Sequence, residues 1–252
     1  MNFKVVIPAR YESSRLPGKP LADIDGIPMV VRVAQRALAS QANEVVVATD
    51  DKRVVDLVTK HNIAVELTDI KHPSGSDRVM EVATIRGWQS DDIVVNVQGD
   101  EPLIPPAVIN QVAALLQTKK YGVATLSESI HEQADVDNPN VVKVVTDADG
   151  SALYFSRAPI PFRRDKNPVA GDGQNLQVYR RHLGIYAYRL SALQEFVSTP
   201  PSSYELVEAL EQLRVLQQGI KIIVADACEF VPAGVDTQED LDRVRDLVQT
   251  SR

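Results

Sequence analysis

Phe3-Lys4-Val5-Val6-Ile7 runs directly into Pro8-Ala9-Arg10-Tyr11-Glu12-Ser13-Ser14-Arg15-Leu16-Pro17-Gly18-Lys19-Pro20. An unbroken apolar run, a long polar loop and then a helical pattern over 29–40 is the opening of a βα unit. The alternation continues. Strand-like runs at 44–48, 64–67, 93–97 and 121–126 are separated by helical patterns at 52–60, 77–86 and 106–119. The apolar runs are continuous rather than alternating, as in strands buried on both faces of a parallel sheet. Repeated units of this kind predict a doubly wound α/β layer built on a mostly parallel sheet.

The second half reads as more mixed. Residues 141–146 and 152–155 are strand-like and flank the turn Asp147-Ala148-Asp149-Gly150. A polar stretch over 159–177, holding Pro159, Pro161, Pro168, Gly171 and Gly173, is long for a connection and reads as a lid or binding loop. A strand at 182–188 precedes a helix opened by Ser202-Ser203-Tyr204-Glu205, which has the capping-box form. Leu206, Leu210 and Leu213 give that helix an apolar stripe, and Leu241, Val244 and Leu247 do the same for a last helix over 238–249.

The net charge of −7 over 252 residues excludes broad nucleic-acid or anionic-membrane binding, so an anionic ligand needs a local basic cluster. Residues 157–189 supply one: seven cations (Arg157, Arg163, Arg164, Lys166, Arg180, Arg181, Arg189) against Asp165 and Asp172, a local charge of +5. The single Cys228 cannot form an internal disulfide and reads as a buried, inert thiol. No signal-peptide core and no apolar run of the ~20 residues needed to span a bilayer is present, so the expectation is a cytoplasmic protein.

The first loop lies over the carboxyl ends of the strands, where open α/β sheets bind ligands. Arg10, Arg15 and Lys19, with Gly18 allowing close backbone approach, suit a polyphosphate. Neither standard phosphate loop is present: Ser13 stands where a P-loop needs Gly, Pro20 where it needs Ser or Thr, and no G-x-G-x-x-G follows the first strand. A second strand ends at Gln98-Gly99-Asp100-Glu101-Pro102, on the same edge. Its carboxylates suit Mg²⁺, which takes one or two of them together with substrate phosphates; a simple strand-ending turn is the alternative. Asp236, in Val235-Asp236-Thr237-Gln238-Glu239, reads either as a helix cap or as a metal ligand. Thr237 with Asp240 can supply the cap and free Asp236, but spacing alone does not bring Asp100 and Asp236 together. Ser74-Gly75-Ser76-Asp77-Arg78 opens a helix, with Ser74 or Ser76 as cap and its amides able to face a base or ribose.

Taken in order, Pro8-Ala9-Arg10, Pro17-Gly18-Lys19-Pro20, Ala48-Thr49-Asp50, the Ser74–Arg78 run, Val95-Asn96-Val97-Gln98-Gly99-Asp100-Glu101-Pro102, Tyr154-Phe155-Ser156-Arg157, Arg181-His182-Leu183-Gly184-Ile185-Tyr186, Leu210-Glu211-Gln212-Leu213-Arg214 and Gly234-Val235-Asp236-Thr237 closely resemble the 3-deoxy-manno-octulosonate cytidylyltransferases, nearly end to end. The first loop alone indicates only the wider nucleotidyltransferases; the His182 and Glu211 segments point to the octulosonate branch. The resemblance implies a sheet of nucleotide-diphospho-sugar transferase type in one domain over 1–252. Residues 1–130 would mainly bind CTP, and 131–252 the sugar acid and a second copy in a homodimer. It implies that Arg10, Arg15 and Lys19 grip the CTP phosphates and that Ser74 and Arg78 lie near the cytidine. Mg²⁺ would rest on Asp100 and Asp236, with Lys19, Arg15 and Asp100 carrying the chemistry. Gln98, Arg157, His182, Tyr186, Glu211 and Gln212 would contact 3-deoxy-D-manno-octulosonate (Kdo), Arg157 at its carboxylate. Ser76-Asp77 departs from the family's more common Thr-Glu, and 163–177 carries no motif that transfers.

Overall fold

The computed structural model describes residues 2–13, 15–118, 120–164 and 176–250. In the first half β1 (Lys4–Pro8) leads through the hairpin β2 (Asp23–Ile24) and β3 (Ile27–Pro28) to α1 (Met29–Leu38) and β4 (Glu44–Thr49). Then come α2 (Lys52–Lys60), β5 (Ala64–Leu67), α3 (Gly75–Ile85), β6 (Ile93–Asn96), α4 (Pro106–Ala114) and β7 (Val123–Ser129). The second half holds α5 (Gln133–Asp137), β8 (Lys143–Thr146), β9 (Ala152–Ser156), β10 (Arg180–Arg189) and α6 (Leu190–Ser198). It closes with α7 (Ser203–Glu208), α8 (Gln212–Gln217), β11 (Ile222–Asp226) and α9 (Gln238–Thr250).

The main sheet runs β11-β7-β10-β6-β1-β4-β5, with β8 and β9 attached beside β10. β6, β1, β4 and β5 are parallel, and β11 is parallel to β7. The long β10 lies antiparallel between β6 and β7. The mostly parallel, doubly wound expectation therefore holds, with β10 reversed within the main order and β9 reversed in the attached pair.

Alternation along the strands sorts the core into two layers. Val5, Ile7, Val45, Val47, Val95 and Val97 face one side and pack on α1 and α4. Val6, Val46 and Val94 face the other and pack on Val79 and Val82 of α3 and on Leu193 and Phe196 of α6. A third, smaller cluster joins Leu16 of the first loop to Val235, Leu241 and Val244. It ties the C-terminal helix to the loop after β1.

Several expectations change. The helix from Ser202 keeps its capping box but breaks at Ala209, whose φ of 50° is left-handed, so α7 and α8 are separate. Leu206 is 70% exposed while Leu210 and Leu213 are buried, so the three never form one stripe. Glu205 of α7 instead makes a two-pronged pair with Arg214 of α8, at 2.7 and 2.5 Å. Cys228 is exposed, because it follows β11 in a surface turn. The hairpin at Asp25-Gly26, both with positive φ, is a two-residue turn that escaped the periodicity reading. Most of 163–177, with Lys166, Asp165 and Asp172, lies outside the described residues, as does Ser14 of the first loop.

Candidate functional site at the carboxyl edge of the sheet

β1 and β6 are neighbours, and the chain leaves them toward opposite edges of the sheet, to β4 from one and to β7 from the other. Such a reversal opens a crevice at the strands' carboxyl ends. The loop from β1 and the Gln98–Asp100 turn from β6 enter it together. They approach so closely that a Cβ on Gly99 would lie 2.6 Å from the Pro8 carbonyl, so this position requires glycine. Gly18, at φ 69°, turns the chain into the short helical turn that carries Lys19. The resulting cleft, about 370 Å³, is lined by Arg10, Ser13, Arg15, Lys19, Gln98 and Asp100, with Gly75 at the first turn of α3.

Lys19 is the hinge of the site. Its Nζ lies 2.7 Å from Asp100 Oδ2 and 3.0 Å from Asp236 Oδ1, and Arg15 Nη2 lies 3.0 Å from Asp236 Oδ2. Residues 136 positions apart are thus joined through one ammonium. Packing explains how. Leu16, Val235 and Leu241 share the third apolar cluster, and Val235 N donates to the Asp100 carbonyl at 2.8 Å. The ambiguity at Asp236 also resolves. Asp240 N donates to Thr237 Oγ1 at 3.2 Å, and Thr237 N to Asp240 Oδ2 at 3.0 Å, so Thr237 and Asp240 close the start of α9. The Asp236 carboxylate takes no part in that cap. Among the described residues no three His, Cys, Asp or Glu side chains converge for metal binding. Two carboxylates beside a cleft lined by Arg10, Arg15 and Lys19 fit Mg²⁺, which fills its remaining positions with water and other oxygens, and do not fit a closed zinc site.

On the other side of the Gln98 turn lies a cavity of about 290 Å³, lined by Ser76, Asn96, His182, Tyr186, Glu211 and Gln212 among others. Burial governs its chemistry. His182 is pulled down to about 3 by burial and is neutral; its Nε2 lies 3.1 Å from Thr125 Oγ1. Thr125 also reaches the Leu183 and Ile185 carbonyls, where the register of β10 against β7 shifts. Burial raises the Glu211 carboxyl, against the opposing hydrogen bond that Ser76 Oγ donates at 3.2 Å. It also lifts the Tyr186 and Tyr188 hydroxyls well above their usual range.

A wider cavity of about 740 Å³ runs from Arg15, Asp100 and Asp236 to Asn138, Arg157, Arg181 and His182. Glu101 lines it too. Burial first, and Asp100 second, push its carboxyl up to about 8, with Arg181 opposing.

Not every expected residue is placed as a free contact. Arg78 is fully buried, its guanidinium on Asp50 Oδ2 (2.9 Å) and Thr68 Oγ1 (2.5 Å); it anchors the end of β4 to α3. Ser74, not Ser76, is the α3 cap, accepting from Asp77 N at 3.3 Å. Arg10 donates to the His72 carbonyl from an exposed position. Arg157 turns three nitrogens to the carbonyls of Glu208 (2.7 Å), Pro139 (3.0 Å) and Ala209 (3.3 Å). The expected basic cluster is dispersed, since strand alternation sends Arg180 to the Asp226 carboxylate and Arg189 to the Leu116 carbonyl. Of the described cations in that stretch, Arg157 and Arg181 alone line the wider cavity. Asn96 was not singled out beforehand, and Glu101 only as one of the two carboxylates of the 98–102 turn. The signals were there: a polar residue closing an apolar strand, and a second acid beside Asp100.

The family model described as cytidylyltransferase matches residues 4–222. A 3-deoxy-manno-octulosonate cytidylyltransferase of Saccharophagus degradans is 56% identical, with 100% of both chains covered. The chain belongs to the 3-deoxy-manno-octulosonate cytidylyltransferase family. A second member, from Alcanivorax borkumensis, is 55% identical over 97% of this chain and 98% of its own. A solved CMP:2-keto-3-deoxy-manno-octonic acid synthetase complexed with CTP superposes with a TM-score of 0.89 at 41% identity, covering 100% of this chain and 99% of that one. A nucleotidyl transferase from Methanothermobacter thermautotrophicus, at 15% identity and TM-score 0.63, shares the fold.

Proposed function

We propose that this cytidylyltransferase moves CMP from CTP onto the anomeric hydroxyl of Kdo, giving CMP-Kdo and pyrophosphate for lipopolysaccharide synthesis, with Mg²⁺ as cofactor. Its similarity to the octulosonate cytidylyltransferases over the full chain supports the reaction and the acceptor. The observation that carries the mechanism is Lys19 holding Asp100 and Asp236 at the meeting of the phosphate cleft and the acceptor cavities.

The acceptor hydroxyl gives its proton to solvent and its oxygen bonds to the α-phosphorus as the bond from that phosphorus to the bridging oxygen breaks, the electron pair leaving with pyrophosphate. Such transfers depend on positioning and charge neutralisation. Asp100 and Asp236 would hold Mg²⁺, which neutralises phosphate charge as a Lewis acid. Lys19 and Arg15 offset the charge on the leaving pyrophosphate, and Arg10 grips the phosphates from the loop rim. The α3 amides behind Ser74 face the nucleotide, while Arg78 holds the wall from behind. Gln98, His182, Tyr186, Glu211 and Gln212 receive the sugar, with His182 as a neutral hydrogen-bonding group. Arg157 keeps two of its five N–H donors for the acceptor carboxylate.

We also read the protein as a cytoplasmic homodimer. No helix among the described residues is long and apolar enough to cross a membrane. Leu153 on β9 and Tyr204, Leu206 and Val207 on α7 are exposed, and Tyr154 and Tyr204 join the two elements at 6.5 Å between ring centres. An apolar patch of this kind marks an interface. Leu206→Glu with Val207→Glu should shift the size in solution from dimer to monomer. Pyrophosphate release with CTP, Mg²⁺ and Kdo tests the reaction. CTP binding without release would make the chain a non-catalytic nucleotide binder. A higher kcat/KM on the 8-amino analogue would change the acceptor.

A further inference from the structure

Lys143 opens β8 at the point where that strand joins β9 to β10, opposite Ser156 on one side and Arg181 on the other. It is wholly buried. Its Nζ donates to three backbone carbonyls: Asn138 at 3.0 Å, Val141 at 2.6 Å and Arg157 at 2.7 Å. An ammonium has three donors, so each is used, and each acceptor is neutral. Buried charges ordinarily meet a counter-charge.

The neighbouring cation repeats the pattern, since the Arg157 guanidinium also donates to carbonyls, those of Pro139, Glu208 and Ala209. Together the two side chains bind three segments into one block: the 138–141 turn, the end of β9, and the left-handed break between α7 and α8. These segments wall both cavities of the acceptor half. Asn138, Asn140, Val141 and Arg157 line the wider one, and Ala209, Leu210, Glu211 and Gln212 line the smaller. Two carboxylates face the block: Asp137 at the end of α5, and Glu208, which accepts from Ser156 Oγ at 2.7 Å and Arg157 N at 2.9 Å. Neither acid bonds to the Lys143 ammonium, whose three partners are all carbonyls, so its charge is opposed only from a distance. Low surrounding polarisability carries that field further than at the surface.

We propose that Lys143 is a positioning residue for the anionic acceptor: it draws the 138–141 and 157 carbonyls around its ammonium, sets Arg157 in place, and supplies a fixed positive charge behind the acceptor cavity. The inference rests on the transferase reading. Lys143 touches neither substrate, so its loss should act on acceptor binding and leave the CTP side untouched.

Lys143→Gln removes the charge and keeps two donors; Lys143→Arg keeps the charge and disturbs the three-carbonyl geometry. With pyrophosphate release as readout, Lys143→Gln should raise the KM for Kdo about tenfold, with the KM for CTP within about twofold. Lys143→Arg should recover most of that loss. Glu208→Gln removes one of the two opposing charges and should lower the KM for Kdo about threefold, a gain that misfolding cannot mimic. It decides the matter if Lys143→Gln fails to fold. A flat KM for Kdo on active enzyme, equal rises for Kdo and CTP, or a rise in Glu208→Gln overturns the inference. Unaltered protein that releases no pyrophosphate fails the transferase reading instead.

Discussion

The phosphate cleft and the acceptor cavity share one edge of one sheet and use polar groups in opposite ways. In the cleft the rim charges stand in water, the Arg15 side chain 63% exposed and that of Asp236 49%, above a Lys19 that is 13% exposed. Exposed ion pairs contribute only ~0–1 kcal/mol, so these groups change partners at little cost. Lys19 can release two carboxylates to a metal and turn to a phosphate. In the acceptor cavity burial suppresses charge instead, leaving His182 neutral and the Glu211 carboxyl raised. A site for a nucleoside triphosphate needs exchangeable charge. A site for a polyol needs fixed neutral donors and acceptors, with its one anionic group answered from behind by Arg157 and Lys143.

The sharpest way to break this contrast is Asp100→Asn. If the cleft works by exchangeable charge, turnover should fall about 10³-fold. Stability should fall by only ~1–2 kcal/mol, because Asn still offers Lys19 an acceptor and Lys19 keeps its pair with Asp236. A comparable loss in thermal unfolding would make Asp100 a structural residue. Next in size is Lys19→Ala. Turnover should drop about 10²-fold, while Mg²⁺ binding without nucleotide should tighten about tenfold, since the ammonium no longer occupies the carboxylates. Calorimetric titration with Mg²⁺ checks this, and an unchanged affinity would show that Lys19 and the metal do not compete.

The two regions were also unequally legible in the sequence. Strands β1, β4 and β6 announced themselves because burial on both faces needs unbroken apolar runs, whereas β5 at the sheet's edge, AVEL with both ends exposed, was marked by its place between two helical patterns. The cleft followed from them, since its loop is local to β1 and its acids local to β6. The pairing of Asp100 with Asp236 was not legible, because it depends on Leu16, Val235 and Leu241 packing together across the whole chain. The capping role of Thr237 and Asp240 could be named only as an option. The acceptor cavity needed the family resemblance, because its residues come from β6, α3, β10 and α8, and no spacing links them. Arg157 illustrates the limit. Its residue type suggested a carboxylate partner, while three of its donors serve backbone carbonyls that only the fold brings near.

A weaker effect tests the acceptor side. His182 has a folded-state pKa of about 3, below its unfolded value of 6.5. Between those values the unfolded chain binds the extra proton, so stability is full above about pH 6.5 and falls as pH drops toward 3. The slope from this residue is at most ~1.4 kcal/mol per pH unit. His182→Gln should flatten the acid limb of Tm against pH across that window. If the limb stays as steep, His182 is not held neutral by its surroundings.

The smallest expected effect asks whether the cleft's geometry is set by a helix cap. Thr237 accepts from Asp240 N and leaves the Asp236 carboxylate for Lys19 and Arg15. Thr237→Ala removes that acceptor and should cost ~1 kcal/mol of stability, the usual worth of an N-cap. The loss has a second consequence if Thr237 is what keeps Asp236 out of the cap. Asp240 Oδ2 also accepts from Asp236 N at 3.0 Å, so the whole 236–240 turn loosens when Thr237 goes. The Mg²⁺ concentration for half-maximal turnover should then rise a few-fold, while the KM for Kdo stays fixed because His182 and Glu211 are untouched. Thr237→Ser, which keeps the hydroxyl, should restore both. A variant that loses stability without raising its Mg²⁺ requirement would separate the cap from the cleft and leave Leu16, Val235 and Leu241 as what places Asp236.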